Sequence, residues 1–263
     1  MQETHESHKG NVITLYGSYC GIGRTAIAIN LAAALARSGY SMALMDLDIR
    51  WGDVAIFLDL PADPSIANFD PEEGELERCL YTHETGVTVL PAPIRPKEWQ
   101  KVTAAQAQRA AAILAATHEY LILDSPKSYT VMSTGLDLAD ILLIVTTASE
   151  QSVECAKRDL EMLRWWHFPQ ERIKLILNAT NEVTQLDRRT VERELGREIF
   201  ASIPYNRNIS RMELGTPLVV SHPDSEAAKA MVELAEQLVD LRRAERITRH
   251  PATPQIRVQG RKS

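Results

Sequence analysis

A chain of 263 residues that is 44% hydrophobic is long enough to bury one large core. Its longest apolar runs, such as ILLIV at 141–145, fall far short of the roughly 20 residues that span a bilayer, and MQETHESHKG has no signal-peptide core, which predicts a soluble cytoplasmic protein. The net charge of −6 hides a split: residues 241–263 carry seven Lys or Arg against one Glu, leaving −12 on the 240 residues before them.

In chain order, residues 1–9 are expected to be disordered, 10–247 to form one domain, and 248–263 to be a basic disordered tail. Strands are predicted at VITLY from 12, SMALMDLD from 41, VTVL from 87, YLILD from 120, ILLIVTT from 141, IKLILN from 173 and IFASIPY from 199. Helices are predicted at 25–38, 103–117, 150–166, 187–195 and 225–246, the last with an apolar face of Met231, Leu234, Leu238 and Leu241. The stretch Pro61–Cys79, with its prolines and DPEEGELE, reads as a surface excursion containing a short helix. WWHFP at 165–169 reads as a helix-to-strand corner, with partner docking as the alternative. Most strands are apolar throughout rather than alternating, as for strands buried on both faces. The fold class is therefore α/β: a mostly parallel twisted sheet of about seven strands with helices on both faces.

The first strand leads into Gly17-Ser18-Tyr19-Cys20-Gly21-Ile22-Gly23-Arg24-Thr25-Ala26 and then a helix. Backbone N–H groups held in a turn by glycines at a helix N-terminus form a phosphate cradle, and Gly21 and Gly23 supply that freedom here. Thr25 stands where a hydroxyl binds magnesium, and Arg24 where a lysine reaches the terminal phosphates. The strict pattern G-x-x-x-x-G-K-[ST] fails at Ser18 and at Arg24. Two further strands end in carboxylates, at Asp46-Leu47-Asp48 and at Asp124, where they can hold hydrated magnesium. One aspartate after a strand can equally be a helix cap or a turn residue; here three strand ends converge. The three cysteines, Cys20, Cys79 and Cys155, are scattered without metal-ligand spacing, as in a reduced compartment.

These motifs, with AIAINLAAALARSGY, DLDIRWGDVAIFLDL, LDSPKSY, Asn178 and IPYNRNISRMELGTPLV, resemble the deviant-Walker-A P-loop ATPases of the ParA/MinD class over residues 10–240. Within that class DLDIRWGDVAIFLDLP is most similar to the CpaE/TadZ branch, which localises Flp/Tad pilus assembly machinery. The resemblance implies a three-layer P-loop NTPase fold that binds ATP or ADP with Mg2+. It implies that Gly21, Ile22, Gly23, Arg24, Thr25 and Ala26 hold phosphates, that Thr25, Asp46 and Asp124 serve the metal, and that Asp48 positions the attacking water. Asn178 would meet the adenine edge and Pro204 pack on the base. It further implies a nucleotide-dependent homodimer with a pilus, secretion or polar-localisation partner, recruited to a cell pole or the inner membrane face. The basic tail adds weak contact with anionic membrane or DNA.

One departure bears on turnover. The class carries a signature lysine that crosses to the partner's nucleotide, and Tyr19 stands there instead. Tyrosine brings no charge to offset a phosphoryl-transfer transition state, and Arg24 keeps charge in a planar fork rather than a point. Slow hydrolysis is expected; a pseudo-ATPase scaffold without turnover and a DNA-partitioning ATPase are the alternatives.

Overall fold

The structure, a computed structural model, describes residues 10–72, 74–125, 129–207 and 215–249. The chain runs β1 (Asn11–Tyr16), α1 (Arg24–Arg37), β2 (Met42–Asp46), α2 (Val54–Phe57), β3 (Tyr81–Thr82), β4 (Thr88–Leu90), α3 (Pro96–Trp99), α4 (Ala104–Thr117) and β5 (Tyr120–Asp124). It continues with α5 (Tyr129–Leu138), β6 (Ile141–Thr146), α6 (Glu150–Trp165), β7 (Ile173–Asn178), α7 (Arg188–Leu195), β8 (Ile199–Ile203), α8 (Leu218–Ser221) and α9 (Glu226–Arg249). The strands form one sheet in the order β3-β4-β2-β5-β1-β6-β7-β8. All pairs are parallel except β3 with β4.

Alternation along the strands divides the core into layers. Ile13 and Leu15 of β1, Leu44 of β2 and Leu143 of β6 pack with Ile27, Leu31 and Leu35 of α1 and with Met231, Leu234 and Leu238 of α9. Val12, Met45 and Leu123 face the other way, onto Ala107, Ala111 and Leu114 of α4. Leu142 and Ile144 meet Leu160 and Leu163 of α6 and Val191 of α7 on that second side. With helices over both faces, β1, β2, β5 and β6 are buried at every position, which is why their runs read as continuous. Of the expected face of α9, Met231, Leu234 and Leu238 are buried as a core cover and Leu241 is partly buried.

All seven predicted strands form; the eighth, β3, is two residues long and too short to leave a pattern. A turn sets it, with the His83 N–H donating to the Val87 carbonyl and the Gly86 N–H to that of His83. The helix α5 was not predicted, because Thr130, Val131, Thr134 and Gly135 are weak helix formers. Tertiary packing overrides that preference: Leu136 is buried and the Thr14 hydroxyl donates to the Gly135 carbonyl at 2.7 Å.

Pro61–Cys79 is exposed at many of its described positions, as expected of a surface excursion, and is pinned to the core at others. Two 3-10 turns, Ile66–Asn68 and Leu76–Cys79, replace the short helix, and Ile66, Phe69, Leu76 and Cys79 are buried in the core with α4. Gln106, in a capping box with Thr103 at the start of α4, donates to the Ile66 and Phe69 carbonyls at 2.8 and 2.5 Å. The corner at 165–169 leaves Trp165 exposed and packs Trp166 and Phe168 against the core. The N-terminus 1–9, residues 126–128 of LDSPKSY, residues 208–214 of IPYNRNISRMELGTPLV and the tail 250–263 lie outside the described residues.

Candidate nucleotide-binding site

Fully buried β1 ends at Tyr16, and residues 17–23 turn the chain from the sheet's carboxyl edge into α1. Gly21 (φ 70°) and Gly23 (φ 81°) both take the left-handed backbone that side chains resist. Gly23 is also the N-cap of α1 and no side chain caps it, so the first N–H groups of a 14-residue helix are left for a ligand. A Cβ on Gly23 would run into the amide nitrogen of Asn178.

The loop is braced from two elements. Asn178, at the end of β7, donates to the Ile22 carbonyl at 2.7 Å. Asp159 of α6 accepts from the Ser18 N–H at 2.9 Å and from the Tyr16 hydroxyl at 3.3 Å. Burial, and then the Asp159 charge, push the Tyr16 hydroxyl well above its ordinary pKa, so it remains a donor.

Strands β2 and β5 end side by side, with Asp46 in register with Asp124. Thr25 donates to one Asp124 oxygen at 2.6 Å, and Arg24 Nε donates to the other at 2.6 Å. A terminal nitrogen of Arg24 reaches Asp48 at 3.2 Å. Arg24 is 11% exposed and Asp124 1%, against 20% for Asp48, so the Arg24–Asp124 pair is shielded from solvent. Burial works against the Arg24 charge. The fields of Asp124, Asp48 and Asp46 and the Asp124 hydrogen bond outweigh it and hold the guanidinium pKa above its ordinary value.

Asp46 closes β2 and is fully buried. Its carboxylate accepts from the backbone N–H groups of Asp48 and Val54 at 3.0 and 3.2 Å, which shapes the turn into α2. Burial first, and the Asp124 charge second, push its pKa well above the ordinary carboxylate range, against the pull of those two N–H groups. Asp53, next along, is also raised, by burial and then by Asp48 and Asp124.

Thr25 and Asp124 are hard oxygen donors of the kind that suit magnesium, which takes one or two protein ligands and completes its shell with phosphate and water. No group of three or more His, Cys, Asp or Glu among the described residues is set to hold a metal. A metal at this site would therefore share its ligands with a phosphate.

A cavity of about 960 Å³ opens over the loop. Gly21, Ile22, Gly23, Arg24, Thr25 and Ala26 line it together with Asp48, Arg50, Trp51, Asp53 and Trp99. The predicted phosphate residues thus share one chamber with Asp48. Asn178 and Pro204 do not line it, although Asn178 touches the loop from behind, and Pro204 follows directly on β8, whose Ile203 is in register with Asn178.

The sequence reading missed Trp51, 74% exposed and packed at 5.8 Å on Trp99, and it missed Asp159. Asp159 had a legible signal. It stands among Ala156, Leu160 and Leu163 at helical spacing, an acid on an apolar face. The tryptophans had none, since Trp51 and Trp99 meet only through the fold.

The family model for ParA, described as NUBPL iron-transfer P-loop NTPase, matches residues 9–239. An uncharacterized ATP-binding protein of Methanocaldococcus jannaschii is 29% identical over 227 residues, covering 83% of this chain and 84% of that one. The structure of a ParA family ATPase from Chlorobium tepidum superposes with a TM-score of 0.81 at 24% identity, over 88% of this chain and 100% of that one. The septum site-determining protein MinD of Pyrococcus horikoshii, complexed with Mg-ADP, superposes with a TM-score of 0.79 at 19% identity, over 89% and 97%. Those two likenesses establish the three-layer fold, and the family model covers the whole phosphate loop with its converging strand ends. The chain belongs to the ParA/MinD class of P-loop NTPases.

Proposed function

We propose that this chain binds ATP or ADP with magnesium at the loop and closes as a homodimer around nucleotide to position a cellular machine. The observation that carries this reading is the convergence of Arg24, Thr25, Asp48 and Asp124 on the open N-terminus of α1. The ATP-binding relative and the Mg-ADP complex of a similar fold support it.

Each residue has a task. The N–H groups from Gly21 to Ala26 wrap the phosphates, and Arg24 supplies their counter-charge. Thr25 and Asp124 would hold the magnesium, which neutralises phosphate charge. Asp46 shapes the turn that carries Asp48, and Asp48 orients water. Asn178 gives its nitrogen to Ile22, which leaves its oxygen as the atom able to accept from an adenine amino group, with Pro204 beside it. Tyr19, uncharged at the signature-lysine position, makes turnover slow.

The machine is a Flp/Tad pilus or secretion apparatus, and the site of action a cell pole or the inner membrane face. This finer assignment rests on the CpaE/TadZ resemblance of DLDIRWGDVAIFLDLP. The residues 10–247 act as one domain and the basic tail as a weak anionic contact. Iron transfer, the family model's own description, finds no support in the cysteines. Cys20 is exposed on the loop, Cys79 buried and Cys155 half-buried on α6.

Sedimentation velocity of the full chain tests the switch. A shift from monomer to dimer with ATP but not with ADP, lost in Arg24→Ala, is expected. A chain that binds ATP and stays monomeric at every concentration would overturn the dimer mechanism.

A further inference from the structure

Both oxygens of Asp124 are already engaged. One holds Arg24 Nε at 2.6 Å and the other the Thr25 hydroxyl at 2.6 Å, while a second arm of the same guanidinium holds Asp48 at 3.2 Å. A lysine in this place would bring a compact charge on a flexible stem. Arginine brings five N–H donors in a rigid fork, of which these two contacts use two. Arg24 is also one of the residues that line the cavity.

We propose that Arg24 competes with magnesium for Asp124, so that the site captures nucleoside di- or triphosphate without metal. The inference rests on the nucleotide-binding reading above and deepens it. A phosphate oxygen can take the spare N–H donors while Nε stays on Asp124, since a guanidinium bridges two anions at once. A magnesium ion at Asp124, held directly or through its water, would contend with Nε for that oxygen and would set a dication beside a fixed cation in a site where solvent screens little. The metal and the Arg24–Asp124 pair are therefore alternatives. Nucleotide capture is independent of metal, and metal entry waits on the release of Arg24.

The test is equilibrium binding of a fluorescent ATP analogue to the full chain, once in excess EDTA and once in millimolar magnesium, beside the variant Arg24→Lys. The parent is expected to bind with affinities within about threefold of each other, and Arg24→Lys to bind about tenfold or more weakly without metal than with it. A parent that itself loses about tenfold in EDTA overturns the inference and leaves the nucleotide reading standing. A parent that binds in neither medium overturns the nucleotide reading. The parent's own ratio decides the matter even where Arg24→Lys fails to fold.

Discussion

Arg24, the first residue of α1, is paired with Asp124 at the end of β5. Its guanidinium and the Asp124 carboxylate are both nearly excluded from solvent and lie 2.6 Å apart, so removing one leaves the other as an uncompensated buried charge. Arg24→Met is expected to destabilise the fold by about 3 kcal/mol in denaturant unfolding. The double variant Arg24→Met with Asp124→Asn should lose clearly less than the single one, because no charge is then stranded. Equal losses would mean that the pair is not coupled as the geometry indicates. The sequence named both residues and their site. It could not show that they hold each other, since residues 100 positions apart meet only where β5 ends beside α1. Asp46 was read as a metal residue for its place at a strand end, and its neighbouring turn, which draws on two backbone N–H groups, was equally invisible.

At the scale of elements, the loop depends on groups outside it. Asn178 holds its Ile22 carbonyl from β7, and Asp159 holds the Ser18 N–H and the Tyr16 hydroxyl from α6. Asp159→Ala would leave a buried hydroxyl and a backbone N–H without their acceptor. A loss of about 2 kcal/mol in denaturant unfolding is expected, together with weaker nucleotide binding. Unchanged stability would show that water or a neighbour replaces the carboxylate at no cost. Element order was legible because both-face burial writes continuous apolar runs, with helix-length segments between them. The strand β3 and the buried turns of 61–79 were not, since their order comes from contacts with β4 and α4 rather than from periodicity.

For the whole molecule, the sheet order puts the ends of β1, β2 and β5 next to one another, and this one topological fact assembles the site from residues 24, 48 and 124. Among the described residues no helix is long and apolar enough to cross a membrane. On the proposed reading the loop holds nucleoside triphosphate through Arg24 and Asp124. Isothermal titration of the full chain with ATP and magnesium tests it most directly. One saturable site per chain, weakened about tenfold or more in Arg24→Ala and changed in Asp124→Ala, is the expected result; no binding by the parent, or the same affinity in all three proteins, would contradict it.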